Sequence, residues 1–204
     1  FAMSWRTLTH PLQTRLARLS VFRGGFTEIA AQAVADADAD QLTTLIAKSL
    51  LAHDEAAGRY ALHPVVRTYA AAELTPADPI AQKHAHYYLT LLAGQSAMLQ
   101  KDAPQHAVAA LELEMENVRL AWQSGLTRPS TSSGYMPVAE LVEAALTSLS
   151  IYYQLRGLSH EAEATMQTTL RSATAWGAAG LALATRSGLE RARFQNRLGR
   201  YRAA

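Results

Sequence analysis

Residues 45–74 read LIAKSLLAHDEAAGRYALHPVVRTYAAAEL and combine the end of one helix, a β-hairpin and the start of another helix. Two short strands are predicted over residues 50–54 and 59–62, joined by a loop of hairpin length that ends in glycine. Pro64 suits the first position of a helix, which places His63 at or beside the N-cap. This stretch therefore predicts a hairpin that leads directly into an amphipathic helix.

The residues before the hairpin predict a series of short helices. Residues 1–8 allow two helical turns, and Pro11 begins a helix with one apolar face. Thr27 is the expected N-cap of the next helix. The acidic run 36–40 suits the positive end of the helix that follows it. Helices followed by a hairpin predict a winged-helix module.

Composition narrows the class of protein. Hydrophobic residues make up 49% of the 204 residues and alanine is frequent in the periodic stretches, which is typical of a soluble, mainly helical protein. The absence of cysteine excludes disulfides and thiolate zinc sites and favours a cytoplasmic location. No apolar run approaches the roughly 18 residues of a membrane span, so no membrane partner is expected. Because the chain starts at phenylalanine and ends inside a periodic pattern, we expect a fragment of a longer protein.

The domain organisation is predicted from the helix-breaking residues 75–79. We expect a winged-helix domain over residues 1–75 and a helical domain over residues 80–204. Within the second domain, the low-complexity residues 127–134 are an expected flexible loop. Residues 151–162 align with residues 193–204 through an aromatic residue, a glycine and an alanine, a pattern typical of tetratricopeptide-like (TPR-like) repeats. The chain ends within the second clear repeat, so the repeat domain is expected to be truncated at its C-terminus.

Many winged helices bind DNA through their third helix, which makes DNA binding a hypothesis to weigh. The outward positions of that helix are Asp40, Gln41, Thr43, Thr44 and Lys48. Because an acidic residue leads this helix and arginine is absent from it, we expect no direct nucleic-acid binding. The alternative is a DNA-binding winged helix whose helical repeats mediate oligomerisation.

Basic residues are concentrated near the C-terminus, where they fit a solvated helix face as well as a phosphate-binding track. They are Arg186, Arg191, Arg193, Arg197, Arg200 and Arg202.

Three segments together resemble the winged-helix region of bacterial STAND signalling ATPases. They are FAMSWRTL at 1–8, LSVFRGGFTEIAAQAV at 19–34 and residues 45–74. In that family a P-loop ATPase core precedes the winged helix, and TPR-like repeats follow it. The resemblance implies a non-catalytic regulatory fragment that couples the nucleotide state of an upstream domain to a protein or small-molecule inducer on the repeats. ADP or ATP would then be a cofactor of the parent protein and not of this fragment.

The same resemblance implies a nucleotide-sensing role for His63. In the family, a histidine at the join of hairpin and helix contacts the β-phosphate of ADP, in a motif of an apolar residue, His, then Asp or Glu. Leu62 and His63 match the first two positions, whereas Pro64 stands at the third. A helix N-terminus attracts anions, and a histidine there can donate to a phosphate oxygen. The alternative is that His63 only caps the helix or packs under the wing.

The sequence does not predict an enzyme. No P-loop motif is present, so this chain alone should not hydrolyse ATP. Glu112, Glu114 and Glu116 fall mostly outside an apolar helical stripe and are predicted to form a solvated face. His84 and His86 lie two residues apart on a helix, which is poor geometry for metal ligands, and are expected to be surface residues.

Overall fold

The computed structural model of the protein describes residues 5–127 and 138–199. Within these ranges the fold is mainly helical with one two-stranded antiparallel sheet, which confirms the predicted fold class. The chain divides into two compact units, Phe1–Tyr87 with Glu114–Leu120, and Tyr88–Leu113 with Ala121–Ala204. We call these the winged-helix unit and the helical unit.

The winged-helix unit contains the predicted helices, hairpin and further helix in the predicted order. Its elements are α1 (His10–Leu19), α2 (Glu28–Ala35), α3 (Ala39–Ala47), β1 (Ala52–Asp54), β2 (Arg59–Ala61) and α4 (Pro64–Ala72). Leu16 and Leu19 of α1 are fully buried, and α1 packs against both α2 and α4. Thr27 caps α2 as predicted, since its hydroxyl oxygen accepts from the Ala30 N–H at 3.2 Å.

The hairpin pairs Ala52 with Ala61 and His53 with Tyr60, which makes each strand shorter than predicted. Phe26, directly before α2, adds a single bridge to β2, with its N–H donating to the Tyr60 carbonyl at 2.9 Å. The hairpin is therefore held by a residue far from it in sequence. This bridge fixes β2 at the edge of the helical core.

Ile29 of α2 is a large apolar residue, yet 74% of its surface is exposed. The predicted helix over residues 1–8 lies partly outside the described residues, but Trp5 and Leu8 are buried. Because alanines lie on several sides of α2, the apolar periodicity of its sequence does not distinguish which face of the helix is inward.

The helices after the winged helix are α5 (Ile80–Ala93), α6 (Ser96–Leu99), α7 (Gln105–Thr127), α8 (Val138–Leu155), α9 (Ser159–Ala175) and α10 (Leu181–Arg197), with a 3-10 turn over Gly177–Gly180. The helices α5 and α6 separate at Gly94, because glycine is a poor helix former. Of the predicted loop 127–134, Thr127 ends α7 and the remainder lies outside the described residues.

The core of the helical unit combines apolar side chains with a few satisfied polar groups. Trp122 of α7 is buried and its indole N–H donates to the Thr169 hydroxyl of α9 at 2.9 Å. Gly180 makes the closest backbone approach, since a Cβ atom built there would lie 1.9 Å from the Ala173 carbonyl oxygen. This close approach explains why a glycine stands at the end of the 3-10 turn, directly before α10.

Candidate functional site

A helix-turn-helix is formed by α2, residues 36–38 and α3. Asp36 ends α2 in a left-handed conformation with φ of 56°, which aspartate tolerates better than most residues. Asp38 then caps α3, because its carboxylate accepts from the Gln41 N–H at 2.8 Å while its own N–H donates to the Gln41 side chain at 3.3 Å. The short turn fixes how α3 projects from α2.

Three cations hold this turn through Asp36. Its carboxylate contacts the Arg18 guanidinium at 2.6 Å, the Lys83 ammonium at 2.9 Å and Arg15 at 3.6 Å. Arg18 also contacts Asp78 at 3.0 Å. Cations from α1 and α5 thus stabilise the residue whose backbone conformation sets the direction of α3.

One side of α3 belongs to the core and the other carries polar groups. Leu42 and Leu45 are fully buried. On the other side, the Thr44 hydroxyl donates to the Asp40 carbonyl at 2.8 Å, and Gln41 is half-buried. The exposed polar residues are Asp40, Thr43, Thr44 and Lys48. Hydroxyl, amide and ammonium groups are able to contact phosphates and base edges.

The wing of this unit is the hairpin formed by β1 and β2. The ring of His53 stacks on Tyr60 with 4.3 Å between centroids and 11° between planes. Burial, and secondarily the nearby carboxylate of Glu28, raises the pKa of the Tyr60 hydroxyl above its usual value, so it stays protonated. Arg59 forms a largely buried ion pair with Glu114 of α7.

A buried amide organises the turn between α1 and α2. The Asn117 side-chain oxygen accepts from the Arg23 N–H at 2.7 Å, and its nitrogen donates to the Gly25 carbonyl at 2.8 Å. These two backbone partners fix the orientation of the amide, so the Nε2 atom of His84, 3.2 Å from the amide oxygen, must carry the hydrogen and donate it. Asn117 therefore links α7 and α5 to the turn at Gly24.

His84 is neutral in this environment. Burial, only partly offset by the hydrogen bond to Asn117, lowers its pKa to about 4, and the charge of Arg23 acts in the same direction. The prediction that His84 is a surface residue is therefore wrong, because only 1% of its surface is exposed. A histidine in a helix of mixed composition gives no sequence signal that separates a buried position from an exposed one.

The carboxylates of α7 also differ from their prediction. Glu114 is mostly buried against Arg59, so the predicted solvated face is wrong for this residue. Glu112 pairs with Arg156 at 2.6 Å within the helical unit, and Glu116 is exposed. Sequence reasoning missed Arg59 as well, because its partner lies far away along the chain. Asn117 was missed too, although an amide within an apolar helical stretch is a usable signal.

His63, the candidate nucleotide-sensing residue, is the N-cap of α4. Its Nδ1 atom accepts from the Val65 N–H at 3.3 Å, so the neutral ring carries its hydrogen on Nε2. The side chain is exposed and lines a shallow groove with Ile46 at the end of α3 and Leu62 after β2. Its nucleotide role stays a prediction.

Arg186, Arg191 and Arg193 are paired within the helical unit. Arg186 donates to the Thr147 hydroxyl at 2.8 Å, and Arg191 contacts Glu163 at 2.8 Å. Arg200 and Arg202 lie outside the described residues. In the part of the chain that the structure describes, no three or more His, Asp or Glu side chains come together in a way that could hold a metal ion. Across residues 5–127 and 138–199, no helix has the length and apolarity to cross a membrane.

Comparison with known proteins identifies the class of the first unit. Residues 8–75 match the winged helix-turn-helix domain family. The chain is also similar to proteins of Mycobacterium bovis and Mycobacterium tuberculosis that are named as predicted HTH-type transcriptional regulators, with 37% identity over 126 residues. The aligned part covers 56% of this chain, and this chain spans only 14% of the length of each of those relatives. No solved structure matches the chain significantly.

These findings correct one sequence prediction. A winged helix-turn-helix domain with similarity to transcriptional regulators points to DNA binding, so the expectation of no direct nucleic-acid binding is wrong. That expectation gave too much weight to the missing arginine in α3. Threonine, glutamine and lysine also contact bases or phosphates, and phosphate contacts come from other elements as well.

Proposed function

We propose that this chain carries the DNA-binding winged helix of a transcriptional regulator, with α3 as the helix that enters the major groove. The observation that carries the proposal is the helix-turn-helix itself, in which Asp38 caps α3 and the polar side of α3 is exposed. The family match and the named relatives support this assignment, and they support a regulator rather than an enzyme.

Duplex binding tests the proposal. Random duplexes are enriched on the purified protein at low salt, and the affinity of the enriched sequence is measured by fluorescence anisotropy. We expect Thr43→Ala and Lys48→Ala to weaken binding, because Thr43 is exposed on α3 and Lys48 is exposed at its C-cap. The matched control is Lys101→Ala, which removes the same charge from an exposed position in the helical unit. No enrichment, or equal losses in Lys48→Ala and Lys101→Ala, would contradict the proposal.

We also propose, from the resemblance of residues 1–75 to STAND ATPases, that the winged helix responds to the nucleotide state of an upstream domain. Its support is the position of His63 at the N-terminus of α4 with a hydrogen on Nε2 that is able to meet a phosphate oxygen. The repeat alignment supports TPR-like units, since Tyr152 and Phe194 are both buried and Gly157 and Gly199 both have positive φ. A cytoplasmic location fits both proposals.

The role of His63 is testable in the full-length protein. Asparagine is a good N-cap but lacks the imidazole Nε2, so His63→Asn separates capping from phosphate contact. We expect His63→Asn to retain stability and to release bound ADP faster. If His63→Asn retains ADP like the unmodified protein, while His63→Ala only lowers the melting temperature, His63 is a helix cap and no more.

A further inference from the structure

The wing carries an arginine that is already occupied by an anion from the same unit. The Arg59 guanidinium and the Glu114 carboxylate are only 11% and 12% exposed. Both Nη atoms of Arg59 contact the carboxylate, one oxygen each, with Nη2 at 3.3 Å from Oε2. A two-pronged guanidinium contact of this kind suits carboxylates and phosphates equally.

Two further arginines lie near this pair. They are Arg23 and Arg67. Burial lowers the pKa of Arg23, and the positive charge of Arg67 lowers it further, whereas the negative charge of Glu116 acts in the opposite direction. Arg59 itself reaches the same turn, with its Nε atom 3.6 Å from where a Cβ of Gly25 would lie. Arg23 and Arg59 thus reach the same turn, and with Arg67, whose charge acts on Arg23, we call them the cationic cluster. The Arg23 guanidinium also donates to the Ser20 carbonyl at 2.8 Å and to the Phe22 carbonyl at 3.0 Å.

A short segment of α7 places its acidic groups against that cluster. Glu114 pairs with Arg59, and the Cβ and Cγ atoms of Glu116 would lie 3.0 Å from a Cβ built on Gly24. Asn117 holds the segment to the same turn through its bonds to Arg23 and Gly25. Residues 114–117 therefore combine an anchoring amide with two carboxylates.

An ion pair this buried needs a reason beyond stability. Desolvating two charges costs about as much as their attraction returns, so a buried pair is weak evidence for a stabilising role. A guanidinium that holds a carboxylate through two contacts is able to hold a phosphate in the same way, so a carboxylate in that place would compete with a phosphate. The Arg59–Glu114 pair is therefore better explained as an anion-binding surface occupied by Glu114 than as a contact that only stabilises the fold.

We propose that residues 114–117 form an acidic latch in which Glu114 occupies the place of a DNA phosphate on Arg59. The partner of the uncovered cluster is the sugar-phosphate backbone of duplex DNA. The proposal rests on the proposed DNA-binding function and adds to it that the wing contributes its phosphate contact only after the latch opens.

The test compares two glutamates of the same helix. Glu114→Gln removes the latch charge, and Glu112→Gln makes the same charge change at the residue that pairs with Arg156 in the helical unit. We expect Glu114→Gln to bind the enriched duplex about 10-fold more tightly at low salt and to steepen the slope of log affinity against log salt by about 1, as one added phosphate contact does. Glu112→Gln should show neither change, and Arg59→Gln combined with Glu114→Gln should remove the gain.

A second measurement needs no variant. Hydrogen exchange of the amides of residues 114–120 in the unmodified protein should accelerate when duplex is added, because the latch must open. Duplex binding that requires α3, with equal affinities for the two glutamate variants and unchanged exchange, would overturn the latch and leave the proposed function intact. Absence of duplex binding by the unmodified protein and by Glu114→Gln would overturn both.

Discussion

At the scale of single residues, the unusual feature is a pair of buried polar side chains with defined hydrogen-bond roles. The Asn117 side chain bonds to two backbone groups and accepts a hydrogen bond from His84. Such an arrangement is specific to the neutral form of His84, because a second hydrogen on the ring would place a charge among buried groups. The unit is therefore sensitive to the protonation of one histidine.

Stability should fall as the pH falls through the range where His84 titrates. Its folded pKa of about 4 lies below the unfolded value of 6.5, so the unfolded state takes up a proton first. The contribution of His84 to the free energy of unfolding is fully present above pH 6.5. It is lost between pH 6.5 and about 4, and its size is about 3 kcal/mol at most. Urea unfolding of the unmodified protein and of His84→Gln at several pH values measures this contribution of His84. Equal pH dependences of the two proteins would show that His84 does not contribute.

At the scale of elements, connections between helices carry much of the specificity. The turn between α2 and α3 uses a left-handed aspartate held by three cations, where a glycine would be the common choice. The connection between α9 and α10 uses a glycine for a different reason, which is close contact with a carbonyl. Neither reason is visible without the neighbouring element.

Replacement of Gly180 should destabilise the helical unit. A methyl group there would overlap the Ala173 carbonyl, and the 3-10 turn must move to accept it. We expect Gly180→Ala to lower the free energy of unfolding by about 2 kcal/mol or more.

The control is Gly188→Ala in the middle of α10, where nothing lies within 4 Å of the added atom. This change should raise stability by about 0.5–1 kcal/mol, because alanine is the better helix former. Chemical denaturation compares the two variants, and a similar effect of both would contradict the steric explanation.

At the scale of the whole molecule, charge is distributed rather than concentrated. The net charge is only +2, and many arginines are engaged with carboxylates of their own unit. Under the proposed function, attraction to DNA therefore depends on a few exposed cations and not on a general positive surface.

Duplex binding by the whole chain should consequently show a shallow salt dependence. We expect a slope of log affinity against log salt that corresponds to a few phosphate contacts, with Lys48→Ala reducing its magnitude by about 1 and Lys101→Ala leaving it unchanged. Anisotropy titrations across a salt series provide the measurement. A steep slope that responds equally to both lysines would indicate non-specific attraction.

Much of the winged helix could be predicted from residues close together in the chain. The Thr27 cap, the hairpin loop that ends in Gly58 and the Pro64 start of α4 depend on local backbone chemistry, and the structure has all three. The exposed Ile29 could not be predicted, because in an alanine-rich helix the inward face is chosen by its neighbours.

By itself, the amino-acid sequence determined the class of fold and the order of its elements, since caps, turns and periodicity act over a few residues. Only the tertiary structure determined the environments of Arg59, Glu114, His84 and Asn117. Their partners lie tens of residues away, and desolvation and charge pairing arise only when those partners meet. In the sequence, Arg59 of the wing looks like an ordinary surface cation, whereas in the folded unit its guanidinium is paired with the Glu114 carboxylate.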